Sequence, residues 1–244
     1  MLGDKAIACC LPPTCVLCGG QGVGGLDLCA GCLTDLPRNL SACPRCAMPL
    51  AERQPNGWTC GACQHQPPPQ TSSYVPFLYR YPIPALVVGA KFAGHLNMAR
   101  LLGQCLAHSL LESGAAWPEL LIPVPLHPLR LRERGYNQAL EIARPLAKIL
   151  GIPVDADVCV RSRAFTPQEG LDRAKRRSNV RGAFKVGGPI RARHIAVIDD
   201  VVTTGSTTAE LARVLLHAGA DRIDIWGVAR TPMEANPQSS RVIC

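Results

Sequence analysis

Residues 195–207 of this 244-residue chain read Ile-Ala-Val-Ile-Asp-Asp-Val-Val-Thr-Thr-Gly-Ser-Thr. The apolar start predicts a buried strand that delivers two acids, Asp199 and Asp200, at its carboxyl end, where open α/β sheets bind ligands. A loop rich in Thr, Gly and Ser then opens a helix, and its N–H groups and hydroxyls can cradle a phosphate at the positive end of the helix dipole. The carboxylates can accept hydrogen bonds from vicinal sugar hydroxyls, so the stretch predicts a site for ribose and phosphate together.

The same stretch differs from the common nucleotide-binding loops. It lacks the Gly-x-x-x-x-Gly-Lys of P-loop proteins and the Gly-x-Gly-x-x-Gly of dinucleotide-binding folds. The simplest alternative is an ordinary strand–turn–helix unit capped by Ser206. That alternative gives no reason for two adjacent acids followed by Thr-Thr-Gly-Ser-Thr.

Cysteines dominate the N-terminal part of the chain. Ten of the thirteen lie in the first 63 residues, and eight of these form four Cys-x-x-Cys knuckles. One knuckle presents two thiolates to a tetrahedral metal, and two knuckles complete a four-sulfur zinc shell. Gaps of 10 and 13 residues between knuckles predict two zinc ribbons in tandem with about two structural zinc ions. The predicted ligands are Cys15, Cys18, Cys29, Cys32, Cys43, Cys46, Cys60 and Cys63.

The pairing of these knuckles stays open at this point. Sequential pairing is favoured over interleaved pairing, and Cys9, Cys10 and His65 could substitute as ligands. Iron–sulfur ligation and a disulfide framework are the alternatives. A disulfide framework needs an oxidising compartment, and an N-terminus that carries Asp4 and Lys5 is a poor secretory signal.

Composition restricts the class of protein. Apolar residues make up 47% and charged residues 18%, which excludes a disordered chain. An aromatic content of 5% argues against an RNA-binding sheet that stacks bases. No run approaches 18 uncharged apolar residues, so we expect no membrane span and a cytoplasmic location. The net charge of +8 favours anionic partners such as phosphates or nucleic acid.

Three parts are expected along the chain: a tandem zinc ribbon over 1–66, a Pro-rich linker over 67–76, and an α/β domain over 77–244. Alternating helices and strands in the third part imply right-handed crossovers and a mostly parallel sheet. The charge surplus lies downstream of residue 66, where 22 basic residues face 14 acidic ones. The predicted helices cover 84–112 with a break near Gly94, 137–150 and 206–218, and the predicted strands cover 120–124, 158–160, 195–198 and 223–228.

Residues 195–207 resemble, without a mismatch, the phosphoribosyl-diphosphate (PRPP) motif of type I phosphoribosyltransferases. The resemblance implies that Asp199 and Asp200 hold the ribose hydroxyls and that Mg²⁺ arrives with PRPP, bound mainly through the oxygens of PRPP. Purine-salvage members carry an acid at the position of Thr203, so purine salvage is disfavoured. The residues implied around the 5′-phosphate are Thr203, Thr204, Gly205, Ser206 and Thr207.

Further motifs narrow this resemblance. Lys91-Phe-Ala-Gly lies near the start of the α/β domain, Arg134-Gly-Tyr-Asn-Gln follows its first core strand, and Thr166-Pro-Gln-Glu-Gly-Leu leads to Arg176 and Asn179. With the tandem knuckles in front, the chain resembles the ComF family of competence and DNA-uptake proteins over nearly its whole length. The resemblance implies a phosphoribosyltransferase-like domain behind a double zinc ribbon. It also implies a role in natural transformation or the use of external DNA, with other proteins of the DNA-uptake machinery as partners.

A basic segment, residues 161–193, contains ten basic residues and two acidic ones. The resemblance implies that it corresponds to a flexible loop that closes over PRPP, where positive groups stabilise a departing diphosphate. The candidate catalytic residues are then Arg134, Lys175 and Arg176. The surplus of positive charge can instead bind along the phosphate backbone of single-stranded DNA. The candidate contacts are Arg173, Lys175, Arg177 and Arg181. Part of the run is expected to be solvated surface.

Two functions therefore stay open. The favoured one is a PRPP-binding protein that also binds single-stranded DNA, because ten positive charges exceed what one diphosphate can use. The sequence also shows no acceptor-base pocket and no general acid. The alternative is an active phosphoribosyltransferase that transfers ribose 5-phosphate from PRPP to an unidentified acceptor.

Overall fold

A parallel β-sheet forms the centre of the α/β domain. The structure is a computed structural model that describes residues 12–50, 55, 57–92, 95–162 and 180–232. Its strands are β1 (Ser72–Tyr74), β2 (Phe77–Leu78), β3 (Leu120–Pro123), β4 (Cys159–Arg161), β5 (Phe184–Val186), β6 (His194–Val202) and β7 (Arg222–Arg230). The order of the main sheet is β1-β7-β6-β3, and β2 pairs with β7 further along the β1 edge. All of these pairings are parallel, as the alternating pattern predicts.

Four of the seven helices in the described residues agree with the predicted ranges to within one residue at their outer ends, and the other three, of five to seven residues each, were not predicted. They are α1 (Ala30–Thr34), α2 (Gly61–His65), α3 (Ile83–Phe92), α4 (Leu96–Ser113), α5 (Pro128–Arg134), α6 (Gln138–Leu150) and α7 (Ser206–His217). The expected break in 84–112 separates α3 from α4. Asn137 caps α6 by accepting the Ala139 N–H at 3.1 Å, and Gly151 ends this helix in the left-handed conformation. Neither α5 nor the β4–β5 hairpin as a pair is part of the predicted pattern.

The sheet separates two apolar cores, so the domain has three layers. One face of the sheet packs against α3, α4 and α6, and this core also takes in apolar residues around the first two knuckles. The other face packs against α7 and the β4–β5 hairpin. Because both faces are covered, β7 is buried continuously over residues 223–230 rather than at alternate positions. Residues 195–198 are completely buried.

The carboxyl end of β6 lies further along the chain than the sequence predicts. The strand runs through Val202 because Val201 and Val202 keep their register with β7, opposite Ala229 and Arg230. Asp199 and Asp200 are therefore within the last part of the strand, and the loop begins at Thr203.

The segment predicted as a linker differs from the structure at its C-terminal end. Residues 72–74 form β1, an edge strand of the main sheet. This strand is also tied to the second half of the zinc region, because the Ser73 N–H donates to Pro44 O at 2.8 Å and the Ser73 hydroxyl donates to Arg45 O at 2.7 Å. A three-residue strand has no periodicity that a sequence can reveal. The outer boundaries at residues 66 and 77 stay predictions.

The zinc region packs directly on the α/β domain. Leu26, Leu28 and Leu36 belong to the core beneath α4, and Asp27 pairs with Arg100 of α4 at 2.5 Å. The Asn39 side-chain amide donates to Val75 O at 3.1 Å. Metal binding and the α/β core thus support each other. Among the described residues, no helix is both long enough and apolar enough to cross a membrane.

Candidate functional site

Two four-cysteine clusters occupy the N-terminal region. Cys15, Cys18, Cys29 and Cys32 form the first cluster, and Cys43, Cys46, Cys60 and Cys63 form the second. Each cluster joins consecutive knuckles, so the favoured sequential pairing is confirmed. His65 is exposed at the end of α2 and outside both clusters, while Cys9 and Cys10 lie outside the described residues.

The spacing of the sulfur atoms fits tetrahedral zinc. All ligand atoms of a cluster lie within 4.8 Å of one another. The Sγ atoms of Cys18 and Cys29 are 3.6 Å apart, as are those of Cys46 and Cys60. Zinc–sulfur bonds of about 2.3 Å place two tetrahedral ligands about 3.8 Å apart. The two clusters therefore provide two structural zinc sites, as the knuckle count predicts.

Backbone N–H groups prepare the thiolates for a metal. The Cys32 N–H donates to Cys29 Sγ at 3.4 Å, and the Cys60 N–H donates to Cys43 Sγ at 3.3 Å. Burial acts to raise the pKa of Cys15, but hydrogen bonds from the backbone of Cys29, Leu17 and Cys18 outweigh it and lower the pKa to about 6. Zinc binds the deprotonated thiol, so these bonds favour the ligand form at Cys15, whereas hydrogen bonds with the neighbouring thiols raise the pKa of Cys32 above its ordinary value.

Asp200 is held by two side chains on the α3 and α6 side of the sheet. Lys91 Nζ lies 2.7 Å from Asp200 Oδ2, and Gln138 Nε2 donates to the same oxygen at 3.1 Å. Gln138 is buried, so its amide has a fixed orientation. Both residues belong to motifs of the sequence, but their contacts with Asp200 cannot be predicted from it, because they join positions 62 and 109 residues apart.

The motif of residues 134–138 places Gln138 within hydrogen-bonding distance of the Asp200 carboxylate. Gly135 is in the left-handed conformation and ends α5. The Tyr136 hydroxyl donates to Ala90 O, and Asn137 Nδ2 donates to Val124 O at 3.1 Å. These bonds tie α3, the end of β3 and the start of α6 together at one edge of the sheet. Arg134 itself is half-buried at the end of α5.

Asp199 occupies a different electrostatic environment. Burial and the neighbouring carboxylate of Asp200 raise the pKa of Asp199 well above its ordinary value, and the charge of Lys91 opposes them. On the far side of the sheet the Arg161 guanidinium lies 5.6 Å from the centre of the Phe184 ring. Burial lowers the pKa of Arg161, and the charge of Asp199 opposes this effect. Lys91 and Arg161 therefore place one cation on each side of the acid pair.

The loop after β6 combines a left-handed glycine with a local hydrogen-bond network. Gly205 precedes α7 with φ +75°, a conformation that suits glycine. The Ser206 N–H donates to Thr204 Oγ1 at 3.3 Å, and the two hydroxyls lie 2.8 Å apart. The first turn of α7 contains no acid, so nothing there neutralises the positive end of its dipole. The cap residue is Gly205 rather than Ser206, which excludes the ordinary serine-capped turn.

Most of the other candidate residues for contact with PRPP or DNA lie outside the described residues. These are Arg173, Lys175, Arg176 and Arg177. Arg181 is exposed, and its charge helps to lower the pKa of Glu210 after the stronger effect of Arg213. Lys185 and Arg191 are also exposed on this side of the domain.

The raised pKa of Asp199 predicts a pH-dependent gain in stability on its neutralisation. A carboxyl whose pKa is higher in the folded state than in the unfolded chain costs stability above its unfolded pKa of about 3.9. We expect Asp199→Asn to raise Tm at pH 7.5, and the gain to shrink as pH falls to about 4. Asp200→Asn, which loses the Lys91 ion pair, is the control. Circular dichroism melts that give the same difference at both pH values would contradict the assignment.

The chain is similar to known proteins both in its zinc region and over nearly its whole length. Residues 6–64 match the model of the double zinc ribbon domain. The chain is 33% identical over 231 residues to the DNA utilization protein YhgH of Salmonella typhimurium, covering 91% of this chain and 98% of that protein. It is 31% identical over 224 residues to competence protein F of Haemophilus influenzae, covering 88% of this chain and 96% of that protein.

More distant similarities concern the α/β domain. A ribose-phosphate pyrophosphokinase of Ralstonia nicotianae is 34% identical over 98 residues, covering 38% of this chain and 28% of that protein. Among solved structures, a purine phosphoribosyltransferase of Pyrococcus horikoshii has a TM-score of 0.31 and 23% identity, covering 59% of this chain and 90% of that one. The fold assignment rests on the strand order and register described above rather than on this score.

Proposed function

This chain belongs to the family of competence protein F and the DNA utilization protein YhgH, and from that premise we propose that it binds PRPP at residues 199–207. The observation that carries the proposal is the succession of two acids, a glycine turn and a helix N-terminus at one edge of a parallel sheet. The order of these groups matches the order of ribose and 5′-phosphate in PRPP. The proposed role of the protein is in the uptake or use of external DNA. Its relatives are named for DNA utilization and for competence.

Each part of PRPP meets groups of suitable chemistry in this proposal. Asp199 and Asp200 accept hydrogen bonds from the ribose hydroxyls, and the residues from Thr203 to Thr207 surround the 5′-phosphate. The diphosphate carries Mg²⁺ through its own oxygens. Before PRPP binds, the ion pair with Lys91 keeps the Asp200 carboxylate oriented. When PRPP binds, Lys91 gives up part of this contact and contacts the anionic ligand instead.

Single-stranded DNA is the second proposed ligand. The basic segment provides ten positive charges, and those exposed in the described residues are Arg181, Lys185, Arg191 and Arg193. Cations of this density bind a phosphate backbone without reading its sequence. Closure of the segment on PRPP would change the surface offered to DNA, which links the two ligands. Other proteins of the uptake machinery are the expected partners.

The DNA proposal predicts a specific loss of salt dependence. For single strands, log affinity falls with log salt by about 0.7 per phosphate contact. Replacing Arg173, Lys175 and Arg177 together by Ser should reduce the slope by about 2 and leave PRPP binding nearly unchanged. The measurement is fluorescence anisotropy of a labelled oligothymidylate between low and moderate salt.

A matched control separates the basic segment from total charge. Arg144, Lys148 and Arg213 lie on α6 and α7, and changing them to Ser removes the same charge outside the segment. The control should keep the slope of the unmodified protein. Equal slopes for both triple variants, or no binding at low salt, would refute DNA binding by this segment.

Transfer of ribose 5-phosphate is the alternative function, favoured by the cations Lys91 and Arg161 beside the acid pair. In such a reaction the diphosphate leaves C1 of the ribose with the bonding electrons, and an acceptor nucleophile forms the new bond. Neutralising Arg176 should then slow pyrophosphate release far more than it weakens PRPP binding, because a contact made mainly in the transition state shows in turnover. A coupled pyrophosphate assay on Arg176→Gln, beside PRPP titration, distinguishes the two functions.

A further inference from the structure

Arg230 joins the second cysteine cluster to the loop that begins at Thr203. It is the last residue of β7 and only 2% exposed. Its Nε donates to Cys46 O at 3.0 Å. Its Nη1 donates to Val202 O at 2.9 Å, to Thr231 O at 3.0 Å and to Thr203 O. One guanidinium thus holds the end of β6, the start of the loop and a zinc knuckle.

These bonds fix the direction in which the loop amides point. In a planar trans peptide, the C=O of one residue and the N–H of the next point in opposite directions. Because Val202 O and Thr203 O both face Arg230, the N–H groups of Thr203 and Thr204 face away from it. These two amides belong to the loop that the proposed function assigns to the 5′-phosphate.

The charge of Arg230 favours an anion at the loop, as does the direction in which it turns the loop amides. A guanidinium stays protonated even when buried, and its field is weakly screened inside the protein. It therefore places a permanent positive charge directly behind the loop. Its contact with Cys46 O lies on the backbone of a zinc ligand, so a displacement of that knuckle is transmitted to the same guanidinium.

We propose that Arg230 is a positioning residue that holds the phosphate loop in its binding conformation and couples it to the second cysteine cluster. Phosphate-group binding at the loop and metal retention by Cys43, Cys46, Cys60 and Cys63 then stabilise each other. This inference rests on the proposed PRPP site. It goes beyond that site because it gives the second zinc ribbon a part in ligand affinity.

Linkage makes the coupling measurable in the unmodified protein. If metal retention at the second cluster strengthens PRPP binding, PRPP must strengthen metal retention by the same factor. Equilibrium competition with a chromogenic chelator should show zinc release in two steps, one per cluster. We expect PRPP to raise the chelator concentration needed for release from the second cluster by about tenfold and to leave the other step unchanged.

Arg230→Lys tests the residue itself, because lysine keeps the charge but not the planar fork that reaches several carbonyls. The variant should bind PRPP about tenfold more weakly and lose the effect of PRPP on zinc release. The matched control is Arg100→Lys, which alters the contact between Asp27 and α4 on the side of the first cluster. It should keep both the affinity and the effect.

The outcomes separate this inference from the function on which it rests. If the unmodified protein does not bind PRPP, the proposed function and the inference both fail. If it binds PRPP but zinc release from the second cluster does not respond, the coupling is refuted without recourse to any variant. If Arg230→Lys folds, binds PRPP with unchanged affinity and differs only in Tm, Arg230 supports the fold and does not position the loop.

Discussion

A variant with both Asp199→Asn and Asp200→Asn is expected to lose PRPP binding by at least about 100-fold while keeping its fold. A hydrogen bond to a charged acceptor contributes about 1.5–3 kcal/mol, and the variant weakens one such bond to each ribose hydroxyl. Relief of the crowded Asp199 carboxylate offsets the lost Lys91 ion pair, so Tm should change little. Isothermal titration calorimetry measures the affinity, and circular dichroism verifies the fold.

The control for this variant removes two charges elsewhere. Asp157 and Asp221 are exposed, and Asp221 precedes β7 at the opposite edge of the sheet. Their double change to Asn should leave PRPP affinity within about twofold of the unmodified value, because exposed charges this distant are largely screened. Unchanged affinity in the Asp199 and Asp200 variant would remove the ribose assignment.

Loss of one zinc ligand is expected to have the second large effect. Structural zinc contributes about 10–16 kcal/mol of apparent binding free energy to small ribbons, so Cys29→Ser should lower the zinc content from about two ions to about one. Leu26, Leu28 and Leu36 pack into the core beneath α4. The variant should therefore lower the Tm of the α/β domain as well as unfold the first ribbon.

Elemental analysis and thermal melts test this expectation together. The comparison variant is Cys159→Ser, a buried cysteine on β4 that belongs to neither cluster. It should keep about two zinc ions per chain. A protein that carries no zinc when purified under reducing conditions, with its cysteines oxidised in pairs, would contradict both cluster assignments.

Local sequence signals predicted the parts of the fold with strong local causes. The run of four apolar residues at 195–198 predicted β6, and the Cys-x-x-Cys spacing predicted both clusters. The helix predicted over 137–150 agrees with α6 to within one residue. In each case the physical reason lies within one short segment, so a single sequence contains it.

Contacts between distant segments account for what the sequence did not predict. β1 and β2 are two or three residues long and exist because β7 offers an unpaired edge. The ion pair between Lys91 and Asp200 needs α3 placed beside the end of β6. Arg230 resembles an ordinary charged residue at a strand end until the fold buries it against Cys46.

Calorimetric titration of the full chain with PRPP in the presence of Mg²⁺, with ribose 5-phosphate as the reference ligand, is the decisive test of the proposed PRPP site. We expect one saturable site per chain and tighter binding of PRPP than of ribose 5-phosphate, because only PRPP brings the diphosphate and its metal to the cations beside Asp200. Omitting Mg²⁺ should weaken PRPP binding and leave ribose 5-phosphate binding nearly unchanged. Absence of saturable PRPP binding at millimolar concentration would show that residues 199–207 are not a PRPP site.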